Sequence, residues 1–114
     1  MGIYRTIRKQ FDFLEKRYGF VNTFNQKHGS YFYAVWSNSK KNIMVLYDAI
    51  DEEPISIRIY DADSFSFDAE EYKNGFDQKT GKPCQKIKRA AVWLKNAIED
   101  NHLLFFSKPF SFSD

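Results

Sequence analysis

The fold of this chain is decided between residues 31 and 60, in the stretch YFYAVWSNSKKNIMVLYDAIDEEPISIRIY. Three runs within it, 31–36, 43–47 and 55–60, are rich in the aromatic and β-branched residues that suit a pleated, half-buried surface. The segments between the runs are short and polar, which is typical of turns between antiparallel neighbours. The stretch therefore predicts three strands of a β-meander.

Side-chain alternation indicates how these strands face the core. In the last run, Ile55, Ile57 and Ile59 alternate with polar residues and Tyr60, so one face of that strand is predicted to be buried. The run 43–47 has no polar face, which predicts a strand that is central or covered on both sides. An earlier run, 20–24, followed by a polar segment at 25–30 that is typical of a turn, extends the meander to four strands.

Two segments have helical periodicity. A first apolar stripe has spacings of four, four, three and four, and Gly19 follows it as a helix stop; the stripe comprises Ile3, Ile7, Phe11, Leu14 and Tyr18. A second stripe, from about residue 84 to residue 100, comprises Ile87, Ala90, Ala91, Leu94, Ala97 and Ile98. We expect both helices to pack on one face of the sheet.

Two further segments complete the predicted architecture. Residues 64–83 contain Asn74-Gly75 and a Gly-Lys-Pro sequence, which favour a loop or an edge hairpin. The aromatic segment 103–112 should dock as a final edge strand, because Pro109 excludes it from a central position. The prediction is one α+β domain over residues 1–114: an N-terminal helix, an antiparallel meander of four to five strands and a C-terminal helix on one face.

Length and composition exclude several classes of protein. A chain of 114 residues has the usual size of one domain, and its 43% hydrophobic and 18% aromatic content is too high for a disordered chain. Cys84 is the single cysteine, so an intramolecular disulfide is excluded. There is no run approaching the roughly 20 apolar residues of a membrane helix. These features predict a cytoplasmic protein that does not enter the membrane.

The acidic residues are concentrated in the middle of the chain. Of 15 Asp and Glu residues, 10 lie between Asp48 and Asp77, where Arg58 and Lys73 are the only Lys or Arg residues, so this segment has a net charge of −8. The flanking segments carry +6 and +4, and the overall charge is +2. Such a segment either attracts a basic partner or pairs with the chain's own basic helices.

Enzymatic motifs are weak in this sequence. An EF-hand counted from Asp61 fails, because Ser66 and Tyr72 stand where Gly and Glu are required. Glu71 and Lys73, with Asp63 or Asp61, have the residue types of a metal-dependent nuclease, although an acid two positions before a lysine is frequent by chance. We expect a protein without catalytic activity, cofactor or metal, with the nuclease as an alternative.

Nucleic-acid binding is a second alternative. Basic residues gather around the second helix, with Trp93 as a stacking group; they are Lys79, Lys82, Lys86, Lys88, Arg89 and Lys95. Helices of soluble domains often carry this much charge on their solvent side, and the acidic segment would repel phosphate unless it pointed away. Nucleic acid is therefore not the expected partner.

A family resemblance points to a protein partner. The segment FDFLEKRYGF at 11–20 is a helix that closes on Tyr-Gly-Phe, and short strands with turns such as SKKN at 39–42 and DEE at 51–53 follow it. Over about the first 60 residues this pattern resembles the small bacterial immunity proteins of polymorphic toxin and contact-dependent inhibition systems. The resemblance implies binding to a basic toxin domain, and it carries over no site residues.

Together, charge and resemblance predict a non-catalytic, stoichiometric inhibitor that neutralises a basic bacterial toxin by covering its active surface. The predicted contact residues are the acids of the middle segment and two neighbouring tyrosines that serve as anchors. They are Asp51, Glu52, Glu53, Tyr60, Asp61, Asp63, Asp68, Glu70, Glu71 and Tyr72.

Overall fold

The computed structural model describes residues 2–62, 70–72, 75–101 and 105–106, with the backbone alone at 70–72. The helices are α1 (Ile3–Gln10), α2 (Phe13–Lys16) and α3 (Pro83–Asp100), and the strands are β1 (Val21–His28), β2 (Tyr31–Ser37), β3 (Lys41–Asp48), β4 (Ile55–Asp61) and β5 (Glu70–Tyr72). Within these residues the sheet has the order β1-β2-β3-β4-β5, and every neighbouring pair is antiparallel. The predicted α+β meander is confirmed.

The first helical segment is divided, whereas its periodicity predicts one helix. α1 ends before Phe11, which has φ −98° and ψ 9°, and the Asp12 N–H bonds to the carbonyl of Lys9, three residues back. α2 then continues to Lys16, and Gly19 ends the segment with φ 74° as predicted. Phe11, at the break, and Leu14, in α2, are both fully buried. The apolar spacing therefore identified the buried residues correctly but did not reveal the bend.

Strand β1 is longer than predicted. Residues 25–28, expected as part of a turn, continue the strand and pair with β2, and the connection is the two residues Gly29-Ser30. Gly29 has φ 60°, the positive value that a two-residue hairpin of type II′ requires at its first position. β1 is an edge strand, so its polar side chains lie in solvent and give no apolar signal.

The core lies between one face of the sheet and the helices. α1 and α3 contact each other, and α3 also packs on β4. The sheet contributes alternate residues of β2, β3 and β4, while the helices contribute the two predicted stripes. Fully buried members include Ile7, Phe11 and Leu14 from the first segment, Trp36, Ile43, Val45, Ile55 and Ile57 from the sheet, and Ile87, Leu94 and Ile98 from α3.

The end of the described chain is attached to this core. Phe105 is buried, and the Phe106 ring lies 6.0 Å from the rings of both Tyr18 and Phe20. The Asn38 side chain donates to the Phe105 carbonyl at 2.8 Å, from the turn between β2 and β3. The predicted edge strand at 103–112 otherwise falls outside the described residues.

The described helices include none that is both long enough and apolar enough to cross a membrane.

Candidate functional site

The sheet face opposite the helices is the candidate site, and we call it the open face. It carries the alternate residues of β2, β3 and β4 that do not point into the core: Tyr31, Tyr33, Val35, Met44, Leu46, Ser56, Arg58 and Tyr60. The buried residues of the helices cluster with the side chains of the opposite sheet face. The solvent side of an antiparallel sheet is normally polar, whereas much of the open face is apolar or aromatic. This composition is typical of a binding surface.

A row of aromatic rings crosses the open face from β1 to β2. The Tyr33 ring lies 5.7 Å from Phe24 and 6.3 Å from Tyr31, and Tyr31 lies 5.9 Å from His28. The Tyr33 hydroxyl donates a hydrogen bond to Gln26 Oε1 at 2.9 Å. Phe24 is 46% exposed. The row is therefore held in place by neighbouring side chains and still presents ring surface to solvent.

The connection between β3 and β4 forms one border of the open face, and we call residues 48–54 the acidic loop. Asp48 Oδ1 accepts from the Ser30 hydroxyl at 3.1 Å and from the Ile50 N–H at 3.2 Å. Asp51 Oδ1 accepts from the Glu53 N–H at 2.9 Å. The loop's own carboxylates thus order its backbone, while Ile50, 81% exposed, and Glu52 project into solvent.

A cavity of about 460 Å³ lies between the acidic loop and the open face. Its lining combines aromatic, aliphatic and charged side chains: Tyr31, Tyr33, Met44, Leu46, Asp48, Asp51, Glu53, Pro54, Ser56 and Arg58. Ser56 is 1% exposed, and neither its Oγ nor Glu53 Oε1 has a hydrogen-bond partner in the structure as described. An unsatisfied buried polar group costs about 1–3 kcal/mol of stability, so a hydrogen-bond donor that enters the cavity would relieve this cost at either atom.

Three of the predicted contact residues, Asp51, Glu52 and Glu53, lie together in the acidic loop. Tyr60 lies on the open face of β4, half-buried, and burial raises the pKa of its hydroxyl. Asp61 forms an internal pair: the Lys41 ammonium lies 2.5 Å from its carboxylate across the sheet and lowers the pKa of Asp61. At Asp61 the acidic segment therefore pairs with a basic residue of the chain itself.

The remaining predicted contacts lie at or beyond the limits of the described structure. Asp63 and Asp68 fall outside it, and Glu70, Glu71 and Tyr72 form β5, where their backbones pair with Ile59, Arg58 and Ile57 respectively.

The nuclease alternative depends on the same region. Two of its residues, Asp63 and Lys73, lie outside the described ranges, and Glu71 is placed by its backbone alone. Elsewhere in the described ranges, no three His, Cys, Asp or Glu side chains are grouped closely enough to hold a metal ion. No observation therefore assembles the predicted nuclease centre.

Two of the residues considered for nucleic-acid binding make contacts within the chain. Trp93, the predicted stacking group, is half-buried against the core, and its ring lies 5.8 Å from Phe76. Arg89 donates to the Thr80 carbonyl at 2.6 Å and lies 3.6 Å from the Asp77 carboxylate. Both side chains are thus occupied in attaching the segment before α3 to the helix. Cys84, at the start of α3, is an exposed free thiol.

Sequence reasoning missed several residues of this site, notably Tyr31, Tyr33, Phe24, Ile50 and Ser56. The run at 31–36 has no polar face, and this was the available signal that a second side of the sheet is apolar. Ser56 could not be found in this way, because a serine that alternates with isoleucines is ordinarily a solvent-facing residue.

The fold and the site define an α+β protein whose antiparallel sheet has one helix-covered face and one open, aromatic face bordered by an acidic loop. Comparison with protein-family models, curated proteins and solved structures found no match to this chain.

Proposed function

We propose that this chain is a non-catalytic protein-binding domain that acts as a stoichiometric inhibitor of a basic protein. The observation that carries the proposal is the juxtaposition of the aromatic row with the acidic loop on the open face. The open face and the tip of the loop would cover the active surface of the partner, so no chemistry by this chain is required.

The aromatic row would contribute a large share of the binding energy of such a contact. Interfaces draw a disproportionate share of their binding energy from tyrosine, tryptophan and arginine, and large rings lose little conformational entropy on binding. Tyr31 and Tyr33 are already held by neighbouring rings and by the bond to Gln26. Preordered side chains of this kind reduce the entropic cost of association.

The acidic loop would make the interaction selective for a basic partner. It places several carboxylates at one border of the open face, and the exposed Ile50 and Glu52 are two residues apart in that loop. Complementary charge accelerates encounter with a basic surface and selects against acidic ones. The resemblance to immunity proteins suggests that the basic partner is a bacterial toxin domain.

Affinity capture with matched variants tests the proposal. The purified domain is immobilised and exposed to a lysate of its source organism at about 0.15 M salt, where interactions beyond a Debye length are largely screened. We expect retention of one basic protein at equimolar ratio, which Tyr33→Ala and Glu52→Lys abolish. Addition of the domain should then inhibit the activity of the retained protein.

Asp100→Lys is the matched control, because Asp100 is an exposed acid at the end of α3, in the helical layer. It makes the same charge change as Glu52→Lys and should retain the partner. A partner that is lost equally with Asp100→Lys, or kept by both open-face variants, would contradict a role for the open face. Circular dichroism of each variant confirms that the fold is retained.

A further inference from the structure

We propose that the cavity beneath the acidic loop is a subsite for a single arginine side chain of the protein partner. The inference rests on the proposed function, because it names the group on the partner that the open face recognises. It is carried by two unsatisfied acceptors in a negatively charged cavity whose walls suit a guanidinium.

The floor of the cavity is the first observation. Ser56 is 1% exposed, lines the cavity from β4, and its Oγ has no hydrogen-bond partner among the described groups. Its strand neighbours Ile55 and Ile57 are core residues. A hydroxyl at such a place is normally bonded to the protein or to a bound group. A donor from a ligand that enters the cavity would satisfy it.

The rim is the second observation. Glu53 lines the same cavity, and its Oε1 is inaccessible to solvent and lacks a hydrogen-bond partner in the described part of the chain. Asp48 and Asp51 add two more carboxylates, and Arg58 is the one cationic side chain in the lining. Asp51 and Arg58 each have a further interaction partner, and three carboxylates against one guanidinium leave the lining with a net negative charge. The cavity therefore favours a further cation.

The side chains that line the walls of the cavity suit arginine better than lysine. Tyr31 and Tyr33 offer ring surface on one side, and Met44 and Leu46 offer aliphatic surface for the methylene groups of a long side chain. A guanidinium is planar, stacks on aromatic rings and presents several donors at once, whereas an ammonium is compact and more strongly hydrated. Two separate acceptors, a carboxylate and a hydroxyl, suit the fork of donors that arginine carries.

A titration with short peptides tests the subsite directly. The ¹⁵N-labelled full chain is titrated with acetyl-Gly-Arg-Gly-amide, and with the same peptide containing lysine or citrulline, which keeps the arginine shape but lacks its charge. We expect saturable amide shifts at Tyr31, Tyr33 and residues 55–58 at millimolar concentrations of the arginine peptide. The lysine peptide should bind several-fold more weakly, and the citrulline peptide should produce no saturable shift.

Two conservative variants locate the binding. Glu53→Gln removes the charge and Ser56→Ala removes the hydroxyl, and a charge-assisted hydrogen bond lost at Glu53 should raise the Kd for the arginine peptide about tenfold or more. Asp100→Asn, which neutralises an exposed acid in the helical layer, is the matched control and should change the Kd less than twofold. Because Ser56 Oγ lacks a hydrogen-bond partner among the described residues, Ser56→Ala should not reduce the thermal stability of the free chain.

The outcomes separate this inference from the proposed function. Loss of arginine-peptide shifts in Glu53→Gln, together with weaker capture of the protein partner, supports both the arginine subsite and the proposed inhibitor function. Capture that is unchanged by Glu53→Gln and Ser56→Ala overturns the subsite but leaves the binding domain intact. Peptide shifts that are absent, or identical with citrulline, also overturn the subsite. Specific arginine binding without any captured partner would instead contradict the inhibitor role.

Discussion

At the scale of single residues, the clearest constraint is steric. A Cβ added at Gly75 would lie 2.4 Å from Nε1 and 2.7 Å from Cε2 of Trp93. The indole cannot easily withdraw, because it packs against Phe76 and the core. Gly75 therefore permits the segment before α3 to lie directly on the helix.

Gly75→Ala should destabilise the protein by about 1–3 kcal/mol, the usual cost of overpacking. Urea denaturation measures the free energy of unfolding of this variant, of Trp93→Leu and of the double variant. Because leucine removes the clashing ring, the double variant should lose less than the sum of the two single changes. Simple additivity would mean that the ring and Gly75 do not interact.

Residue-level prediction from sequence succeeded for the core and was incomplete for the site. Periodicity identified Ile57, Leu94 and the other core residues, because burial on one face of a strand or helix imposes a regular spacing on the apolar residues. Asn74-Gly75 is a turn signal in the sequence, and the structure adds that Gly75 lies against the Trp93 ring, where a Cβ would clash. A contact between residues 18 positions apart has no local sequence signal.

At the scale of elements, a polar network joins the end of the first helical segment to α3. Glu99 Oε2 accepts from the Tyr18 hydroxyl at 2.7 Å and from Arg17 Nη2 at 2.9 Å. The Tyr18 hydrogen bond and then the Arg17 guanidinium lower the pKa of Glu99 below its ordinary value of 4.5. Burial, reinforced by the hydrogen bond to Glu99, raises the pKa of Tyr18 above its ordinary value of 10.0.

This network predicts a pH-dependent contribution to stability. A carboxylate whose pKa is depressed by folding stabilises the folded state above its unfolded pKa, and the contribution is lost as the pH falls through the folded pKa. Glu99→Gln should therefore lower the Tm at pH 7, and the difference in Tm should disappear as the pH falls below 4.5 and through the depressed pKa of Glu99 in the folded state.

The control for that measurement is Glu52→Gln, which removes an exposed acid of the acidic loop. Its Tm should stay close to that of the wild type across the same pH range. A Glu99→Gln deficit that persists undiminished at low pH would show that the loss comes from packing of the altered side chain and not from the carboxylate charge.

The bounds of the strands show what the local sequence pattern does not predict. The runs at 31–36, 43–47 and 55–60 all became strands with their expected neighbours, because hydrophobic alternation and short turns act locally. The polar residues 25–28 joined β1 through backbone pairing with β2, a contact that depends on the partner strand and not on their own side chains.

At the scale of the whole molecule, the two faces of the sheet have different roles. Ile43 and Met44 are consecutive in β3, yet Ile43 is fully buried beneath the helices and Met44 lies half-exposed on the open face. β3 is central, as its sequence predicts, but within the described structure protein covers one of its sides.

This asymmetry is testable with adjacent truncations. Ile43→Ala should reduce the free energy of unfolding by about 2–5 kcal/mol, since it leaves a cavity in the core. Met44→Ala should cost clearly less, because Met44 is only partly buried. Chemical denaturation measures both. Equal losses would mean that both sides of β3 are buried to the same extent.

Only the whole molecule shows which of the acidic residues are paired. The sequence predicts an acidic segment of net charge −8 but not which acids are paired. In the fold, Asp61 pairs with Lys41 and Asp77 lies near Arg89, while Glu52 projects from the acidic loop. Pair formation depends on distances between segments that are remote in the chain.

By itself, the sequence determined the fold class, the strand order, the apolar faces of the helices and the position of the acidic residues, because periodicity and turn chemistry are local properties of the chain. The tertiary structure alone decided which side of the sheet is covered, where the first helical segment bends, and that Ser56 and Glu53 meet around one cavity. Those outcomes depend on packing between distant segments, where the burial of each group is set by its neighbours in space.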